Sequence, residues 1–161
     1  MLFLSIHPAH VQAILDGRKT VELRKRRPRA TPGTVVVIYA TTPRCEVVAT
    51  AVLDQVECAS PDRLWPRVRK IAAVTRSAFD DYFQNCRDAV GIHLTDVRRL
   101  ESPILLSHLR AEWKGFHPPQ QFRYLDDEQQ ILIAKRSSAR VSALAPKQLS
   151  HRDMIDRCAL D

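Results

Sequence analysis

The residues best suited to chemistry in this chain lie in one short stretch, where a single acid stands among many bases. Residues 17–29 contain seven lysines or arginines and one carboxylate, Glu22. Like charges at this density repel one another unless an anion neutralises them, and a phosphate backbone is the usual anion. One carboxylate weakens the attraction for polyanions. We therefore expect Glu22 either to pair with an arginine as a structural partner or to act on a ligand.

A helix is predicted to lead into this stretch. Pro8 suits the first turn of a helix, and apolar residues recur at helical spacing from Val11 to Leu15. Gly17 then supplies the left-handed residue that commonly ends a helix. The sequence therefore predicts a short amphipathic helix that stops at Gly17.

A strand is predicted to follow the helix. From Thr20 the apolar period changes to two, which is the period of a strand. Glu22, Arg24 and Arg26 are therefore predicted to project from one side of a strand that ends at Arg26. Lys19 is expected at the start of that strand. An ion-paired surface strand without a function gives the same pattern, because exposed ion pairs are common and contribute little.

The order Gly-x-Lys-x-x-Glu-x-Arg, which spans residues 17–24, resembles the signature of ASCH domains, small members of the PUA-like superfamily. Ser-Ile-His-Pro at residues 5–8, a glycine and apolar strand at 33–40, and Gly-Ile-His-Leu at 91–94 agree with it. Residues 118–125, Pro-Pro-Gln-Gln-Phe-Arg-Tyr-Leu, are similar to a segment of one bacterial branch of the family. The resemblance extends over roughly residues 1–125.

An α+β fold is predicted, namely a PUA-like pseudo-β-barrel of mixed strands with short flanking helices. Strands of period two alternate with short helices along the chain. The expected strands are residues 2–6, 20–26, 33–40, 45–57 and 88–100. Helices are expected from Pro61 and from Arg76, and an aromatic stripe at Phe79, Tyr82 and Phe83 is interpreted as core. The domain is predicted to comprise residues 1–134, followed by a basic linker and a short C-terminal helix in residues 135–161.

Composition narrows the class of protein. The chain has 161 residues, a net charge of +7 and a sequence pI near 9.6, which is typical of a basic protein that binds nucleic acid. It contains no apolar run long enough for a membrane span, and its apolar N-terminus reads as a first strand. The four cysteines lack C-x-x-C spacing and are interpreted as reduced thiols of a cytoplasmic protein, with no metal site and no cofactor.

Three classes of function are compatible with these residues. The resemblance implies, first, a binding module with a cleft beside the signature strand that takes RNA or a modified nucleotide. In that cleft the lysine and arginine side chains contact phosphate, and Glu22 accepts hydrogen bonds from a nucleobase or sugar. The predicted nucleic-acid-binding residues are Lys19, Arg24, Arg26, Tyr39 and Arg123. A regulatory or coactivator-type protein is a further class, although no helix-turn-helix is visible.

An enzyme is the remaining class, with Lys19 and Glu22 as the predicted catalytic pair. One bacterial branch resembles amidohydrolases that remove the acetyl group from acetylated cytidine with a lysine at position 19, a threonine where Glu22 stands, and a distant glutamate. A ribonuclease is the other enzymatic alternative, because a cation beside a carboxylate stabilises a phosphorane and moves a proton. The sequence favours the binding module and leaves the oligomeric state open.

Overall fold

The fold is a single mixed sheet with helices on both sides. A computed structural model describes residues 1–137, which form six strands and five helices. The strands are β1 (Leu2–Ile6), β2 (Val21–Arg24), β3 (Val35–Ala40), β4 (Glu46–Ala59), β5 (Ala89–Leu105) and β6 (Phe122–Tyr124). The helices are α1 (Pro8–Leu15), α2 (Pro61–Val68), α3 (Arg76–Tyr82), α4 (Leu106–Glu112) and α5 (Asp127–Ser137).

The sheet curls so that its two sides approach each other. The strand order is β2-β5-β4-β3-β1-β6, with β1 and β3 parallel and every other neighbouring pair antiparallel. Bulges interrupt the pairing of the long strands β4 and β5, and bulges bend a sheet. Arg24 on β2 consequently reaches Ser5 on β1 with a hydrogen bond of 2.7 Å. This curled half-barrel confirms the predicted α+β pseudo-barrel of mixed strands.

Both faces of the sheet are buried. On β1, Leu2, Leu4 and Ile6 face the barrel interior, where α1 covers them. Phe3 and Tyr39 face the opposite, outer side and pack with residues of α4 and α5. The outer side of β2 packs against α2 and α3 in a third cluster. The sheet therefore has little free surface, and a ligand site must lie at its edges or at the gap between β2 and β1.

The structure differs from the predicted strands in three of them. Strand β2 ends at Arg24, because Arg24 pairs with Val90 near the start of β5 and no partner strand continues beyond. The predicted extension of that strand to Arg26 is therefore wrong. Strand β5 runs to Leu105, past its predicted end at residue 100, and residues 122–124, not predicted as a strand, pair antiparallel with β1.

Helix α5 continues to Ser137. The domain boundary at residue 134 stays a prediction, and the helix predicted near residues 151–159 lies outside the described residues.

Two observations bear on the predictions from composition. None of the helices in residues 1–137 has the length and apolar content needed to cross a bilayer. Cys45, Cys58 and Cys86 are free thiols in this part of the chain, and Cys158 lies outside it.

Candidate functional site

Three charged side chains of the signature stretch form a buried ion triad. Lys19, Glu22 and Arg24 are 2%, 4% and 7% exposed. Oxygen Oε1 of Glu22 accepts a hydrogen bond from Arg24 Nη1, and Oε2 lies 3.4 Å from Lys19 Nζ. Buried charges persist only when they are paired, and here one carboxylate serves two cations. The triad (Lys19, Glu22 and Arg24) therefore keeps a net positive charge inside the fold.

The turn after α1 places the triad at the edge of the barrel. Gly17 adopts a φ of +73°, and Lys19 N then donates to the Ala13 carbonyl at 3.0 Å. These two features reverse the chain and start β2. Glu22 pairs across the strands with Ile92, which belongs to the inner core, so the Glu22 side chain points to the same inner side. The predicted helix stop at Gly17 is confirmed.

Lys19 is held away from water. Its Nζ donates to the Ala72 carbonyl at 2.7 Å, in addition to facing Glu22. Burial lowers the pKa of Lys19, and the Glu22 carboxylate opposes that shift without cancelling it. The amine is thus closer to a neutral, nucleophilic or basic form than an exposed lysine is.

Both terminal nitrogens of Arg24 donate hydrogen bonds to groups within the protein. Besides Glu22, Nη1 donates to the Leu23 carbonyl at 2.8 Å, and Nη2 donates to the Ser5 carbonyl at 2.7 Å. Only Nε has no hydrogen-bond partner among the described residues. The geometry therefore gives Arg24 the task of fixing Glu22 and joining β2 to β1, and leaves it little capacity for phosphate.

A pocket of about 190 Å³ opens above the triad. Its other walls come from α1 and the α3 region, with His10 on one side and Ala78, Phe79 and Tyr82 on the other. Glu22 Oε2, on the floor, has no hydrogen-bond partner within residues 1–137. Burial and the nearby Lys19 lower the pKa of His10, so the imidazole is biased toward its neutral form. The pocket combines an apolar wall with a carboxylate oxygen whose contact to Lys19, at 3.4 Å, leaves it able to accept a further hydrogen bond.

The basic loop (residues 25–29) borders this pocket. Lys25, Arg26, Arg27 and Arg29 are exposed. Lys25 Nζ lies 5.3 Å from the centre of the Tyr82 ring at the pocket rim. Since β2 ends at Arg24, Arg26 does not share a face with Glu22 and Arg24, and it lines a separate groove. The predicted alignment of Arg26 with the triad is therefore wrong, although its exposure to solvent suits a phosphate contact.

Tyr39 and Arg123, the two other predicted binding residues, are not brought to the pocket. Tyr39 is 2% exposed and packs on Phe3, where burial raises the pKa of its phenol. Arg123 pairs with Phe3 across the strands, lies 5.3 Å above the Phe116 ring and donates to Gln129 at 3.3 Å. Both side chains therefore belong to the outer side of the sheet, under α4 and α5.

Sequence reasoning missed His10 and the rim role of Tyr82. The aromatic stripe on α3 was interpreted as core, and Phe79 and Phe83 are indeed buried, whereas Tyr82 remains 37% exposed. His10 does not belong to the apolar stripe of α1, which includes the neighbouring Val11. A polar residue next to that stripe was the available signal for His10.

The chain resembles known proteins over most of its length. Residues 4–118 match the model of the ASCH domain family. An ASCH domain-containing ribonuclease of Zymomonas mobilis subsp. mobilis is 32% identical over 135 residues, which are 83% of this chain and 90% of that protein. The crystal structure of ASCH from Zymomonas mobilis superposes with a TM-score of 0.77 at 31% identity, covering 83% of this chain and 93% of that one. The N-terminal domain of Staphylothermus marinus McrB shares the fold alone, with a TM-score of 0.56 at 15% identity over 84% and 93%.

Proposed function

The chain belongs to the ASCH domain family, and from that premise we propose that it binds RNA, or a nucleotide derived from RNA, in the pocket above the triad. One observation carries the proposal. Glu22 is buried at the pocket floor, where Oε1 accepts from Arg24 and Oε2 lies 3.4 Å from Lys19 Nζ. That distance is longer than an ordinary hydrogen bond, so Oε2 keeps the capacity to accept another. An amino or imino N–H of a nucleobase is a suitable donor to such an oxygen.

The size and chemistry of the pocket favour a base over a phosphate. A cavity of about 190 Å³ is smaller than the roughly 300–1,000 Å³ that drug-sized ligands occupy, so it suits a single flat ring system. Ala78 and Phe79 offer an apolar wall to the face of that ring. The acceptor that faces the pocket is a carboxylate oxygen, which takes a hydrogen bond from a base but not from an ionised phosphate, because that group has no donor. The base therefore enters the pocket, and the phosphates stay outside it.

The basic loop then supplies the phosphate contacts. Lys25 lies at the pocket rim, and the exposed Arg26, Arg27 and Arg29 follow it in the chain and line the neighbouring groove. Phosphate contacts position a nucleic acid without reading its sequence. In this scheme Lys19 and Arg24 act indirectly, because they orient Glu22 and do not meet the phosphates.

Ribonuclease activity is the second candidate function. Two observations favour it: the name of the relative at 32% identity, and the Lys19 amine of lowered pKa 3.4 Å from a carboxylate. In this role Glu22 accepts the proton of a ribose 2′-hydroxyl as that oxygen attacks the adjacent phosphorus. The bond from phosphorus to the 5′ oxygen then breaks, and the Lys19 ammonium gives its proton to that leaving oxygen, so that a 2′,3′-cyclic phosphate and a 5′-hydroxyl are formed.

The binding proposal is tested by filling the pocket without disturbing the triad. Ala78 lines the pocket and Ser77 beside it does not, so Ala78→Phe and Ser77→Phe add the same ring on the same helix. Fluorescence anisotropy with a short single-stranded RNA measures the dissociation constant. Ala78→Phe is expected to abolish binding and Ser77→Phe to preserve it. Unchanged affinity in both variants would rule out the pocket.

A further inference from the structure

A groove lies on the other side of the basic loop from the pocket. Its volume is about 470 Å³, and its walls are Arg26, Arg27 and Arg29 on one side and residues 119–122 with Tyr124 on the other. The backbone N–H of Arg29 donates to the hydroxyl of Tyr124, which fastens the loop to β6. The groove is therefore bounded by anchored structure, with a strongly basic wall.

A short run of hydrogen bonds lies between this groove and the pocket. Arg24 lines the pocket, and its Nη2 donates to the Ser5 carbonyl at 2.7 Å. Ser5 N donates to the Gln121 carbonyl at 3.3 Å, and Gln121 lines the groove. The hydrogen-bonded path Arg24–Ser5–Gln121 thus connects the two cavities across the gap between β2 and β1.

Two buried polar atoms beside this path have no hydrogen-bond partner within residues 1–137, namely Arg24 Nε and Gln121 Oε1. Arg24 lines the pocket, and Gln121 lines the groove. Buried polar groups are nearly always paired in folded proteins, so these two atoms require an explanation. A polar ligand that reaches both cavities offers an acceptor to Arg24 and a donor to Gln121.

From these contacts we propose that the groove is a second nucleotide subsite, so that the ligand is a single strand of RNA at least two nucleotides long. The inference rests on the proposed function of the pocket. One base enters the pocket above Glu22, and the strand then passes along the basic loop into the groove. A base that enters the pocket is unpaired and unstacked, which a single strand provides and a duplex does not.

Tyr124 provides the stacking surface of the groove. Its ring is 47% exposed, its hydroxyl is engaged by the Arg29 N–H, and Phe122 supports it edge-to-face at 6.3 Å between ring centres. An aromatic ring fixed in this way stacks on any of the four bases, because every base has a π-face. The groove therefore adds affinity without strong sequence preference.

The experiment compares a short single-stranded RNA of mixed sequence with the four ribonucleoside monophosphates by isothermal titration calorimetry. Tyr124→Leu is expected to weaken the oligonucleotide about tenfold more than the mononucleotides, since one base–aromatic stack is lost. The double variant Arg27→Ala/Arg29→Ala is expected to show the same preferential loss. Arg63→Ala/Arg69→Ala removes the same charge from a region outside pocket and groove, and serves as the matched control.

The outcomes separate this inference from the proposal on which it rests. A preferential loss for the oligonucleotide in the groove variants, absent from the control, supports the second subsite. If the groove variants bind the oligonucleotide as tightly as the wild type while Ala78→Phe abolishes binding, the second subsite is overturned and the pocket stands. If the wild type binds neither class of ligand, both fail. Tighter binding of a duplex of the same sequence would also overturn the single-strand assignment.

Discussion

The guanidinium of Arg24 donates a hydrogen bond to the carbonyl oxygen of Ser5, although three strands separate β2 from β1 in the sheet. The same guanidinium binds the Glu22 carboxylate. One arginine therefore both joins the two sides of the curled sheet and fixes the acid at the floor of the pocket. Because these duties coincide, the shape of the site and the closure of the barrel depend on one side chain.

Replacing Glu22 is expected to destabilise the fold. Glu22→Gln removes the only acidic member of the triad and leaves the cations of Lys19 and Arg24 facing a neutral amide. Loss of one partner of a buried ion pair costs about 3–5 kcal/mol. Equilibrium unfolding in urea measures the change in the free energy of unfolding.

The control for this variant is an acid in an exposed ion pair. Asp80 pairs with Arg76 on α3, and the two side chains are 46% and 49% exposed. Asp80→Asn is expected to change the free energy of unfolding by about 1 kcal/mol or less, because solvent screens such pairs. Equal losses in the two variants would contradict the special role of the triad.

Lys19 is expected to make stability rise with pH on the alkaline side. Burial lowers the pKa of Lys19 below its ordinary value of 10.5. Between the folded pKa and 10.5 the unfolded chain holds a proton that the folded chain has released. The free energy of unfolding therefore increases with pH in that window, by at most about 1.4 kcal/mol per pH unit. Lys19→Met lacks this titration, so the difference between the two proteins in urea denaturation should grow as the pH rises toward 10.5. Parallel curves of the free energy of unfolding against pH for the two proteins would contradict this prediction.

The basic loop is expected to set the salt dependence of RNA binding. The triple variant Arg26→Ala/Arg27→Ala/Arg29→Ala removes up to three phosphate contacts. Each contact contributes about 0.7 to the slope of log affinity against log salt for a single strand, so the slope should become shallower by about 2. Its charge-matched control replaces three exposed basic residues in and just after α2 by alanine: Arg63, Arg69 and Lys70. The control should lose much less of the slope, and an equal loss would show that the loop is not the contact surface.

RNA cleavage, if catalysed here, is expected to require Lys19. Lys19→Met keeps the length of the side chain and removes the amine, and the loss of a group that works in the transition state costs about 100-fold or more in rate. Lys114→Met changes an exposed lysine in the same way and should cleave like the wild type. Gel assays of RNA cleavage, with binding measured on the same samples, give the comparison. Equal slow cleavage by all three proteins would leave a binding module.

Local signals predicted the part of the site that local structure builds. Gly17 and the change of period at Thr20 lie within a few residues of the turn that they specify, so the sequence located Lys19, Glu22 and Arg24 together. The α+β barrel of mixed strands was predictable for the same reason, because each strand carries its own period.

The features that the sequence did not predict depend on pairing between distant parts of the chain. Strand β2 stops at Arg24 because β5 begins at Ala89, and nothing near Arg26 signals that limit. Tyr39 and Ile38 are both buried, since helices cover both faces of the sheet, and alternation then cannot tell which face borders a ligand. The three-residue strand β6 becomes visible only through its pairing with β1.

The gap between β2 and β1 couples the pocket to the barrel wall. Paired strands are held by a ladder of backbone hydrogen bonds, whereas Arg24 spans this gap with a side chain. The same guanidinium binds Glu22, and Arg24 lines the pocket. A group that displaced Arg24 from the pocket would therefore release the Glu22 carboxylate and the Ser5 carbonyl together, so that occupancy of the pocket and separation of the two strands are linked events.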